Sequence, residues 1–130
     1  MKVATAIARF LLGTVFFVFG LDGFLGLIPL PPLPTPAAQF IQTMQSSGYL
    51  FYLVKGTEVV VGALLLSGRF VPLALVLLSP VIVNIVLFHA FLNAPHEVVV
   101  PMVFFGLHLF LIWQYRKYYE SLFVANAGAA

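Results

Sequence analysis

Four long apolar runs, separated by short polar or proline-rich stretches, set the pattern of this chain. The first reaches from about Ala4 to Ile28 and stops at PLPPLPTP, which cannot continue a helix. The second, about Tyr49 to Ser67, ends at Gly68, a residue suited to the left-handed position just past a helix. The third, VPLALVLLSPVIVNIVLFHAFL, covers about Val71 to Leu92. The fourth opens near Pro95, a favourable first-turn residue, and continues to about Tyr118. A hydrocarbon layer ~30 Å thick needs about 20 helical residues, so each run is long enough to cross it. The pattern predicts an all-α fold, an antiparallel four-helix transmembrane bundle forming one membrane domain (residues 1–118), with a flexible tail over 119–130. Between the first two spans, PAAQFIQTMQSSG is weakly amphipathic, with Phe40, Ile41 and Met44 clustered. It predicts a short interfacial helix lying on the membrane surface or capping the bundle.

Composition turns the pattern into a choice of solvent. Of the 130 residues 62% are hydrophobic and 8% charged, with mean hydropathy +1.11. Soluble domains run at about 45–50% apolar and about 25% charged, so this chain lacks the charge to cover itself in water, and its partner is the lipid bilayer. The first run begins like a secretory signal, with Lys2 ahead of it, but it outlasts the usual ~7–15 residues and no A-x-A site follows directly. It is taken as a retained helix. The net charge of +2 is spread over segment ends rather than gathered in a patch, so nucleic acid is not a partner. Cysteine is absent, which excludes a disulfide, a thiolate metal site or a thiol redox centre. Lys2, Arg9, Arg69, Arg116 and Lys117 fall at the same end of the expected bundle, while the loop 29–48 and NAPHE carry no Lys or Arg. The positive-inside rule then places both termini in the cytoplasm. Tyr49 and Tyr52 at one boundary, and Trp113, Tyr115, Tyr118 and Tyr119 at the other, suit interfacial belts.

The candidate chemistry lies inside the spans. LVKGTEVVVGALLL carries Lys55 and Glu58, three residues apart on one helix face and able to pair. Counted inward from the outer ends, Asp22 and Lys55 lie ~9 Å deep, Asn84 and Glu58 ~12–14 Å, and His108 slightly deeper. All four spans thus offer polar side chains to one outer-half layer, expected to join as a network. Pro80 frees a carbonyl near Val76, and glycines 13, 20, 23 and 26 thin the first helix for close approach. Ionisable groups inside a membrane mark binding sites and proton relays, yet a buried network can also serve only to fix helix register. Both readings stay open.

Weaker constellations surround this one. His89, His96 and Glu97 flank the last outer loop and form a secondary candidate, without the regular spacing of a metal site. His89 and His108 lie ~12 Å apart in depth, which argues against a haem clamp. Fourteen phenylalanines could line a quinone or lipid-tail slot, but they serve as well as bundle and lipid-facing filler. Arg9 is expected to snorkel to head groups. No Gly-rich phosphate loop, nucleophile elbow or HExxH occurs.

With the spans placed, ARFLLGTVFFVFGLDGF with PLPPLP, VKGTEVVVGALLLSGRFVPLAL and SPVIVNIVLFH resemble the DoxX family of small four-helix bacterial membrane proteins. The resemblance covers roughly Ala8 to Lys117, and Glu58 and Arg9 match polar positions of the family pattern. At Asp22 the family more often has Asn or Lys. The resemblance implies a bacterial inner-membrane location and a quinone-associated subunit of an oxidoreductase complex, working with a soluble or membrane redox partner. On that reading Lys55 and Asn84 hydrogen-bond the quinone carbonyls, and His108, Glu58 or Asp22 gains the protons. A non-catalytic factor that stabilises or assembles other membrane proteins is a competing class. A small-solute or proton pathway, needing a homo-oligomer for any large channel, is a third.

Overall fold

In the computed structural model, which describes residues 2–130, the four apolar runs are helices and pack as one bundle. Helix α1 covers Lys2–Leu25, α2 Thr35–Ser46, α3 Leu50–Ser67, α4 Val71–Phe91 and α5 Val99–Gln114. A 3₁₀ turn, Pro95–Val98, leads into α5, and a second, Arg116–Phe123, follows it. The four membrane-length elements hold 24, 18, 21 and 20 residues, counting Pro95–Gln114 as one. At 1.5 Å per residue they rise ~27–36 Å, the thickness of a hydrocarbon layer. The chain runs up and down, and the contacts close a ring of α1 on α3, α3 on α4, α4 on α5 and α5 back on α1.

Local chemistry sets the breaks. Helix α1 ends where Gly26 takes φ 64° and donates its N–H to the Asp22 carbonyl at 2.7 Å. The Asp22 carboxylate then accepts the N–H groups of Leu27 at 2.7 Å and Ile28 at 2.9 Å, steering the chain toward Pro29. Gly26 thus terminates the helix and, with nothing near it, does not thin a helix contact. Gly68 adopts φ 73° and donates to the Leu64 carbonyl at 3.0 Å, closing α3 as a left-handed cap. Phe70 also takes a left-handed φ of 54°, so the Gly68–Phe70 link reverses direction within three residues. The Ser47 hydroxyl accepts the Leu50 N–H at 3.0 Å where α3 begins. The expected interfacial helix is α2, which packs on α3, buries Ala37 and Met44, and sets Phe40 5.7 Å from the Phe88 ring of α4.

Apolar side chains fill the centre and also cover the outside. The core joins Ala8, Leu12 and Phe16 of α1, Val61 and Leu65 of α3, Ala74, Leu75, Leu78 and Ile82 of α4, and Leu111 of α5. Outward faces carry Ile7, Phe10, Leu53, Val60, Leu73, Leu87, Val103 and Leu109, all exposed. At most 28% of any span is buried within the chain, so most of its apolar surface requires lipid. The C-terminal region differs from expectation. The last helix stops at Gln114 rather than Tyr118, and Tyr119, expected to open a free tail, is buried with its hydroxyl donating to the Pro72 carbonyl at 3.0 Å.

Candidate functional site

The closest helix contact positions the charged pair. Helices α1 and α3 meet backbone to backbone, and glycines on both sides make this possible. A Cβ on Gly62 would fall 2.6 Å from the Phe17 Cα, and one on Gly20 would fall 2.8 Å from the Val59 nitrogen. Gly13 lies equally close to Leu65 and Leu66. The face of α3 pressed on α1 is the face that carries Glu58: a Cβ on Gly20 would lie 3.0 Å from the Glu58 Cβ. One turn outward, the Lys55 methylenes lie over Gly23.

On that seam Lys55 Nζ donates to Glu58 Oε2 at 3.1 Å. Glu58 is 3% exposed, whereas 24% of the Lys55 side chain is open and its ammonium lies 5.9 Å from the centre of the Phe51 ring. The carboxylate is therefore the sealed member of the pair and the ammonium its link to the surroundings. Lipid cannot solvate either ion, so each supplies what the other needs.

The single five-residue layer expected from depth does not form. Among the described residues no hydrogen bond or ion pair joins Asp22, Asn84 or His108 to Lys55 or Glu58. Asp22 is spent on the N–H groups that end α1. Asn84 is exposed, because it lies about 200° around α4 from buried Ile82 at 3.6 residues per turn, and its side chain has no partner among the described residues. His108 is buried, 2% exposed, but it faces α4 nearer the basic end. Its Nε2 lies 3.0 Å from the Leu75 carbonyl and 3.2 Å from the Ser79 hydroxyl, which itself donates to Leu75 at 2.9 Å. A carbonyl can only accept, so Nε2 carries the proton. Nδ1 is buried with no partner among the described residues, and Phe105 stacks 6.3 Å away. Leu75 and Ser79 lie ~8–14 Å along α4 from Phe70, while Glu58 lies ~15 Å along α3 from Gly68 and reaches further out to Lys55. Among the described residues, His108 and the Lys55–Glu58 pair are separate polar contacts, joined by no hydrogen bond or ion pair.

Of the outer-loop candidates, two meet and the third bonds within its own helix. His96 Nε2 lies 3.3 Å from Glu97 Oε1, both exposed, whereas the Nδ1 of His89 lies 2.8 Å from the Ile85 carbonyl of its own helix. Among the described residues no group of three or more His, Cys, Asp or Glu is placed to hold a metal ion.

Sequence reasoning missed one residue that matters and gave another only part of its role. Ser79 completes the His108 contact; its signal was the Ser-Pro step inside a span, where a hydroxyl folds back on the preceding turn. Arg9 does more than snorkel: its Nη1 donates to the Leu65 and Leu66 carbonyls, which the end of α3 leaves open, and its guanidinium lies 4.8 Å from the Phe10 ring centre. Arg9 thus fastens α1 to α3 on the same seam where the Lys55–Glu58 pair, formed within α3, lies further along.

The DoxX family model matches residues 4–90, α1 through nearly all of α4. The match spans more than half of the chain, and the chain belongs to the DoxX family. It includes Arg9, Asp22, Lys55, Glu58 and Asn84, and leaves His108 outside. No curated protein and no solved structure matches.

Proposed function

We propose that this DoxX protein is a quinone-associated subunit of a membrane oxidoreductase complex, with Lys55 and Glu58 as its proton-handling site. The observation that supports this most directly is the pair itself: a carboxylate sealed between two helices, joined at 3.1 Å to an ammonium that is still partly open. Lys55 and Glu58 would hold a quinone there, and the quinone would supply two-electron, two-proton chemistry, its electrons coming from a redox partner protein. The residues present suit such a group. Lys55 presents N–H donors to a carbonyl oxygen, and Glu58 holds the lysine in place and carries a proton at its carboxyl oxygen. In this reading the basic end, with Arg9, Arg69, Arg116 and Lys117, faces the cytoplasm of a bacterial inner membrane, and the pair is reached from the opposite side.

Titration of the purified protein in lipid nanodiscs with a short-chain benzoquinone tests the proposal. Binding should weaken at least tenfold in Glu58→Gln, with the helical circular dichroism retained. Equal binding by this variant, or none by the native protein, overturns it. One observation favours a non-catalytic role in stabilising or assembling other membrane proteins: Glu58 is packed hard against Gly20 and lines neither of two surface clefts. That role predicts full function in a Glu58→Gln/Lys55→Met chain.

A further inference from the structure

At the basic end of the bundle, α1 and the end of α5 enclose an open cleft of about 370 Å³. Lys2, Thr5, Ala6 and Arg9 line one wall, and Gln114 and Tyr115 the other. Lys2 and Arg9 are seven residues apart, which places them on one face of α1, two turns from each other. Two cations therefore point along one wall, and no carboxylate is among the lining residues. Amide and phenol groups oppose them. The cleft opens beside exposed apolar side chains, Val3, Ile7 and Phe10 on α1 and Trp113 on α5. Arg9 is not free to leave, because the α3 carbonyls hold its Nη1. A guanidinium has five N–H donors, more than those carbonyls require.

We propose that this cleft is a binding site for the phosphodiester headgroup of an anionic phospholipid. The phosphate sits between Lys2 and Arg9, Gln114 and Tyr115 donate to its ester or glycerol oxygens, and the acyl chains run down past Ile7 and Phe10. The ligand class follows from chemistry at one place: two cations with no carboxylate among the described lining residues, neutral donors opposite, and an apolar exit at the level where the spans end. A soluble anion would use the first two features but not the third. Because Arg9 also closes α3, a lipid seated here braces the α1/α3 seam from below.

Native mass spectrometry of the intact protein in detergent, titrated with phosphatidylglycerol, phosphatidylcholine and inorganic phosphate, is the test. One phosphatidylglycerol should be retained, with apparent affinity at least tenfold above phosphatidylcholine. The Lys2→Glu/Gln114→Glu variant, which leaves the Arg9 bonds alone, should lose that preference while melting at the native temperature. Arg69→Glu, a charge reversal on a basic-end residue outside the cleft, should keep it. Equal loss in Arg69→Glu would mean that total charge attracts the lipid, and would overturn the site. Retention by the double variant, or inorganic phosphate held as strongly as the lipid, would overturn it too.

Discussion

Helices α1 and α3 pair in one way, and α4 and α5 in another. In the first pair the backbones nearly touch at Gly20 and Gly62, and the polar groups on the seam are ions: Arg9 on carbonyls, Lys55 on Glu58. In the second pair, leucines and phenylalanines keep the helices at side-chain distance. The polar contacts there are neutral, His108 with Ser79 and Leu75, and Tyr119 with Pro72 just beyond. The difference follows from the solvent. Between lipid-facing helices no hydrophobic force distinguishes contact from separation, so close backbone packing and paired polar groups must supply the specificity. The tighter seam also excludes lipid and water best, which makes it the place where an ion can be kept. Glycine spacing and the position of the carboxylate are thus two consequences of one contact.

The largest effect should come from splitting the ion pair unequally. Breaking a buried pair by removing one partner costs about 3–5 kcal/mol when the remaining charge stays sealed. Lys55→Met strands Glu58, which is 3% exposed, and should approach that range. Glu58→Gln strands a lysine that is already part open and can reach the surface, so it should cost well under half as much. Lys55→Met/Glu58→Met should recover much of the loss. Unfolding free energies measured by steric trapping in bicelles, arranged as a double-mutant cycle, check the ordering. Equal costs for the two single variants would remove the asymmetry between sealed acid and open base.

The glycines sharpen the contrast by sign. Gly62→Ala should destabilise by about 1–3 kcal/mol, because its methyl meets the Phe17 backbone, which cannot turn aside. Gly106→Ala on α5 meets nothing within 4 Å and should be neutral, or stabilising by up to about 1 kcal/mol through helix propensity. Thermal melts of both variants in one detergent give the two signs directly. Destabilisation by Gly106→Ala would show that the α5 face is covered by something the isolated chain does not contain.

The same contrast explains how much could be read from the sequence. Span number and approximate limits were legible because length and hydrophobicity determine them, and Gly68 announced the end of α3. Lys55 and Glu58 were legible as a pair because i,i+3 spacing is local. Asp22, Asn84 and His108 were misplaced because depth along a helix was used without direction around it. Asn84 stands at a plausible height but faces outward. Asp22 was counted from Ile28, although the helix ends at Leu25. His108 meets α4 through Ser79, a partner that no spacing rule within one helix can reveal. Which glycines face a neighbour and which face open space was likewise hidden, since Gly62 and Gly106 look alike in one dimension.

The smallest effect tests how the looser half is held at its end. Tyr119 ties the segment after α5 to the start of α4 through one hydroxyl–carbonyl bond. Removing a neutral bond of this kind costs about 0.5–1.5 kcal/mol, so Tyr119→Phe should lower stability by an amount in that range. Burial, and secondarily the neighbouring Tyr115, pushes the Tyr119 phenol above the usual tyrosine pKa. The folded chain therefore holds this proton more tightly than the unfolded one. The contribution is complete below the ordinary tyrosine pKa of about 10 and falls as pH rises from there through the raised folded-state value. Melts of native protein and Tyr119→Phe should differ at pH 8 and converge as pH rises above 10. Equal melting of the two at pH 8 would mean that the ring, rather than its hydroxyl, anchors the segment to α4.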